Sequence, residues 1–153
     1  MSLRFRHLGT LSVLALALTT SSLRAQQTED KTPLGKKMTA INVAFRTIGQ
    51  QITDSTKNAS TMELLSTIET NAKEALALEP EKKAQVPAAE QEKFMADYKA
   101  GIQKLIDAAG KVHMAIHAGK NAEAAAIVEE MRGLQRASHA EFRIRRPPPP
   151  PAK

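Results

Sequence analysis

Few side chains in this 153-residue sequence are suited to chemistry, and their types restrict what that chemistry can be. There are four His, six Met and no Cys. Without Cys there is no thiol nucleophile, no iron–sulfur cluster and no Cys-x-x-Cys-His thioether attachment. No Ser-His-Asp set, glycine-rich phosphate loop or carboxylate pair is spaced for acid–base work, so the sequence gives catalysis no support. What remains is ligation by imidazole and thioether. His139 falls three residues before Phe142 and eight after Met131, on or beside an apolar helical stripe, where a titratable ring needs a reason. Met38 lies in the second turn of another apolar-striped segment, far away in the chain. His113 and His117 form an i, i+4 pair, a spacing that can hold zinc or copper. Two ligands are too few for a dedicated site, and Val112 and Ile116 take the core positions beside them, so the pair reads as a solvated or seam-flanking face.

The elements that must position Met38 and His139 begin after a leader. Arg4, Arg6 and His7, an 11-residue apolar run from Leu8 to Leu18, and a small polar stretch ending at Ala25 have the layout of a secretory signal peptide. The run is shorter than the ~20 apolar residues that span a bilayer. The expected mature protein is exported and soluble, in a compartment where disulfides are common; without Cys its core alone must hold the fold. The 22 Lys and Arg against 16 Asp and Glu overstate the basicity of the body. Three basic residues sit in the leader and four (Arg143, Arg145, Arg146, Lys153) at the C-terminus, leaving 15 against 16. With one Tyr, no Trp and four Phe there is no base-stacking platform, which argues against nucleic-acid binding.

Thr32-Pro33 reads as a helix start. Leu34, Met38, Ile41, Phe45, Ile48 and Ile52 then recur at steps of four and three, predicting a helix to about Ser55. Ser60 with Glu63 fits a capping box for a second helix, striped by Leu65, Ile68, Ala72 and Ala75 and ending near Glu79-Pro80. After the two-proline loop 80–87, a third helix runs from about Ala88 to Ala118, with Phe94, Tyr98, Ile102, Leu105, Ala109, Val112 and Ile116 inward. Gly119 suits a left-handed stop. The fourth helix carries Ile127, Met131, Leu134 and Phe142 as its stripe, and Pro147–Pro151 begins an extended polyproline tail. Four helices, short joins and no strand signal predict an all-α, antiparallel up-down-up-down four-helix bundle. The expected organisation is a signal peptide at 1–25, the bundle at 26–146 and the tail at 147–153.

This topology places the start of the first helix, the 80–87 loop and the end of the fourth helix at one end. Met38 and His139 then sit at similar heights, with Phe94, Tyr98 and Ile102 descending from the third helix to the same level. An apolar slot with one nitrogen and one sulfur ligand is what a six-coordinate haem requires, and Met/His ligation favours a higher reduction potential. Without Cys such a haem would be held non-covalently.

These features also carry a resemblance. Met38-Thr39-Ala40-Ile41-Asn42 continuing to Phe45-Arg46 and Ile48, then Asp97-Tyr98 with Gly101, Gly119-Lys120, and Ala137-Ser138-His139-Ala140-Glu141-Phe142-Arg143 are similar to the corresponding stretches of the cytochrome b562 family. The likeness spans residues 33–143. It implies one haem b per chain with Met38 and His139 as axial ligands. It further implies a pocket lined by Ile41, Phe45, Tyr98, Ile102 and Leu105, and Arg143 near a haem propionate. The implied activity is one-electron transport by a monomeric periplasmic protein between unidentified redox partners, with no enzymatic step. Gln135 stands where the family often has a basic residue one turn before the His, and Ile102 where it has an aromatic. The competing expectation is a haemless exported bundle acting as a binding or structural module.

Overall fold

The computed structural model describes residues 32–144. The leader, the polyproline tail, Arg145 and Arg146 lie outside the described residues. Four helices follow in order: α1 (Pro33–Gln51), α2 (Asn58–Ala75), α3 (Gln91–His117) and α4 (Asn121–Phe142). Short joins at 52–57 and 118–120 and a longer one at 76–90 turn each helix back on its predecessor, giving the all-α four-helix bundle expected from the periodicity. The apolar stripes meet along its axis. Ile48, Leu65, Ile68, Val112, Val128 and Met131 are fully buried, and Ile41, Phe45, Tyr98 and Ile102 extend the same cluster.

The caps show why the helices begin and end where they do. Thr32 accepts the Gly35 N–H at 3.0 Å, and Pro33 occupies the first helical position, where a missing N–H is harmless. Gly119 has φ of 72°, with Gly119 N–H bonded to Ile116 O and Lys120 N–H to Ala115 O, the paired closure of a Schellman motif. Asn121, opening α4, donates to the Ile52 carbonyl at 2.9 Å and shares amide bonds with Asn58, stitching that end of the bundle.

Several expected boundaries move. α1 stops at Gln51 and a 3₁₀ turn, Ser55–Lys57, intervenes, capped by Asp54 accepting the Thr56 N–H at 3.0 Å. α2 therefore starts at Asn58, and Ser60 is already inside it: its hydroxyl accepts from Gln51, so the expected capping box does not form. α2 ends at Ala75 instead of near Glu79. The 80–87 loop contains a 3₁₀ segment, Glu81–Gln85, and residues 88–90 make another before α3 proper begins at Gln91. α4 ends at Phe142 with Arg143 extended, so His139 lies in its last turn.

Candidate functional site

Successive helices are closely packed: α1 on α2, α2 on α3 and α3 on α4. The remaining side of the bundle, between α1 and α4, has no comparable backbone approach among the described residues. Towards the α1–α2 end that side is bridged by side chains. The Arg132 guanidinium lies over Gly49, where a β-carbon would collide with it. Nearer the middle, the Gln135 amide donates to Asn42 at 3.4 Å. Beyond Asn42 and Gln135 the two helices flank a crevice.

Two cavities make up this crevice, and they share a wall formed by Met38, Gly101, Ile102, Ser138, His139 and Arg143. The inner cavity, about 350 Å³, runs along the helices against Ile41, Phe45, Leu105, Met131 and Leu134. Its volume falls within the range of roughly 300–1,000 Å³ usual for small-molecule sites. The outer one, about 140 Å³, opens at the end of the bundle between Leu34, Pro80, Lys82, Tyr98 and Phe142. All eight residues singled out from the sequence (Met38, Ile41, Phe45, Tyr98, Ile102, Leu105, His139 and Arg143) border one or both cavities. Packing is uneven as a result. The core is dense at Ile48, Leu65, Ile68, Val112 and Val128, whereas Leu34, Met38, Leu105 and Phe142 at the crevice end are only partly buried.

One wall is aromatic. Phe142 meets Phe94 and Tyr98 edge-on, with centroids 5.3 and 5.7 Å apart. The Tyr98 ring is 4% exposed, and its hydroxyl donates to the Ala75 carbonyl at 3.0 Å, tying α3 to the end of α2. Burial disfavours the phenolate and pushes the Tyr98 pKa up to about 12. The Lys82 ammonium, from the 80–87 loop, donates to the Glu141 carbonyl in the last turn of α4. A cation there satisfies an orphan carbonyl and complements the negative end of the helix dipole. It steadies the turn that carries His139.

His139 lies beside the buried stripe of α4 and not within it. The fully buried positions of α4 are Ala124, Val128 and Met131, whereas Ile127 and Leu134 are half-buried. Continuing that stripe brings Ser138 and Phe142 inward and leaves His139 at its edge, on the α1 side. It borders both cavities and is exposed. Arg143 is exposed at the same mouth.

Sequence reasoning missed several wall residues. Gly101 and Ser138 are shared by both cavities, and Gly101 keeps the α3 wall thin: a β-carbon there would touch Phe142 and Ser138 at 3.6 Å. Their signal was available, since 98, 101, 102 and 105 share one helical stripe, as do 131, 134, 135 and 138. Lys82 had no such signal, because it lies in an irregular loop.

The side-chain chemistry of the shared wall fits a haem iron. It offers one imidazole and one thioether, set among apolar walls, with the Arg143 cation at the rim for a carboxylate. A second thioether, Met131, lines the inner cavity but is packed in the fully buried core. Elsewhere, His113 is half-buried, His117 is exposed, and no group of three or more His, Cys, Asp or Glu among the described residues is arranged to hold a metal ion. No described helix is long and apolar enough to cross a membrane.

No curated protein and no solved structure matches the chain significantly. The sequence model of cytochrome b562 does match, over residues 33–143, which takes in all four helices and the whole crevice. Its members are haem-binding helical bundles that transfer electrons and are not enzymes. A four-helix bundle open between its first and last helices, with a Met and a His on the shared wall of the opening, thus agrees with the sequence match: the chain belongs to the cytochrome b562 family.

Proposed function

We propose that the α1–α4 crevice binds one haem b non-covalently, with Met38 and His139 as axial ligands, and that the protein carries single electrons in the periplasm. The observation that carries this reading is the shared wall, on which the imidazole and the thioether border both cavities. Haem, when bound, supplies the one-electron couple. The chain's residues do the rest. Ile41, Phe45, Ile102 and Leu105 exclude water from the inner cavity, lowering the local dielectric and favouring the less charged, reduced state. A thioether ligand acts in the same direction. Tyr98 and Phe142 close the outer end, and the Arg143 guanidinium supplies a counter-charge for a propionate. Neutral Gln135, bonded to Asn42, places no charge beside the inner cavity. With Met38 and His139 both given to the iron, no position would be left for a substrate, which favours electron transfer over oxygen chemistry. The leader at residues 1–25 supports export, and the mature protein is expected to act as a monomer with redox partners that meet it in the periplasm.

Titration of the purified mature protein with haemin, oxidised and then dithionite-reduced, tests this directly. Wild type should form a one-to-one complex with sharp low-spin α and β bands on reduction. Met38→Ala and His139→Ala should each give a high-spin spectrum or weakened uptake. Equal, weak uptake by all three proteins, without low-spin bands, would leave a haemless bundle as the better reading.

A further inference from the structure

Charge is divided unevenly over this bundle. The described residues carry 15 Lys and Arg against 14 Asp and Glu, so the body as a whole is close to neutral. Yet α1 contains no carboxylate: its charged residues are Lys36, Lys37 and Arg46, and Lys37 is paired with Glu74 of α2. On α4, at 100° per residue, Arg132, Arg136 and His139 fall within about 60° of one another. Arg132 over Gly49 identifies this as the stripe that faces α1. Arg143 continues it onto the crevice wall. The α4 carboxylates do not balance it. Glu129 is paired with Arg132 at 3.2 Å and Glu123 with Lys120 at 3.1 Å. Glu130 and Glu141 are turned roughly 160–180° from Arg132. On α1, Arg46 is one turn from Asn42, which bonds to Gln135 across the seam. Arg46 and Arg136 are both exposed and join no ion pair among the described residues. Glu81 borders the outer cavity, at the end of the bundle and not along this side.

The one open side of the fold is therefore rimmed by cations. We propose that the α1–α4 face, with Arg46 and Arg136 beside the crevice, is the docking surface for an acidic redox protein. This rests on the haem reading, since electron exchange needs close approach to the cofactor, and the seam is where the crevice is exposed. A fixed positive rim steers a negative partner into that approach and is screened by salt over ~10 Å at 0.1 M.

The test uses the haem-loaded, reduced protein in stopped flow, oxidised by ferricyanide or by tris(phenanthroline)cobalt(III), each taking one electron from the ferrous protein. Ferricyanide should slow as salt rises, while the cationic cobalt complex should speed up. The double variant Arg46→Glu/Arg136→Glu should keep the haem spectrum, lose about tenfold in its ferricyanide rate at low salt and reverse the salt dependence. An eight-residue oligoglutamate should inhibit the ferricyanide reaction of wild type and spare that of the variant. Rates indifferent to salt and to the double substitution would overturn the proposal. So would inhibition by phosphatidylglycerol vesicles with none by oligoglutamate, which would make the face a membrane-surface site. A protein that takes up no haem fails earlier, at the spectrum, and removes the haem reading along with this one.

Discussion

Tyr98 is the only tyrosine in the chain, so its ionisation can be followed without interference. Burial raises its pKa to about 12, which means the folded protein retains the phenolic proton after the unfolded chain, near 10, has released it. Its contribution to stability is complete below pH 10 and is lost between about 10 and 12, by up to roughly 3 kcal/mol. Tyrosinate absorbance should rise near pH 12 in the native protein and near pH 10 in denaturant; a native midpoint near 10 would contradict the buried geometry. Tyr98→Phe should cost only about 0.5–1.5 kcal/mol in urea, because the Ala75 carbonyl also accepts from Leu78 N–H at 3.0 Å. Gly101 offers a sharper separation of cofactor from fold. In Gly101→Leu a branched side chain would enter the shared wall of the crevice, and haemin uptake should fall at least tenfold while thermal unfolding of the apo-protein stays within a few degrees. Helical stripes put Ile41, Phe45, Tyr98, Ile102 and Leu105 on inward faces, and the family resemblance implied that they line a pocket. The edge position of His139 was not legible, because one position of rotation about α4 separates the core from the seam.

At the scale of elements, the 80–87 loop acts on α4 through Lys82 and the Glu141 carbonyl. Lys82→Ala should remove about 0.3–1 kcal/mol of local stability. Amide exchange in Ala140–Phe142 should quicken several-fold while that of Leu65–Ile68 is unchanged. Equal exchange in both proteins would show that the lysine contact contributes nothing. Helix ends were readable where one chemistry dominates, as at Thr32-Pro33 and Gly119. They were misread at Ser60, because Asp54 caps a preceding 3₁₀ turn and α2 simply continues from it. A capping-box pattern cannot reveal a competitor six residues upstream.

The whole molecule is dense at one end and open at the other, and its mutational response should follow. Ile68→Ala, in the fully buried half, should cost about 2–5 kcal/mol. Leu105→Ala beside the inner cavity should cost the apo-protein clearly less, and should weaken haem binding instead. Chemical denaturation of both variants with and without haemin checks this; equal apo-protein losses would contradict the asymmetry. The bundle itself was legible because four long stripes leave few alternatives, and the common end of Met38 and His139 followed from topology. The opening between α1 and α4 was not, since it depends on how closely helices approach and not on which residues are apolar.

Met38 and His139 are the proposed iron ligands, and a second thioether, Met131, lines the same crevice. X-ray absorption at the iron edge of the haem-loaded, reduced protein separates them. One sulfur neighbour should appear in wild type and in Met131→Leu and be absent from Met38→Ala. Sulfur retained in Met38→Ala, or absent from wild type, would contradict the assignment.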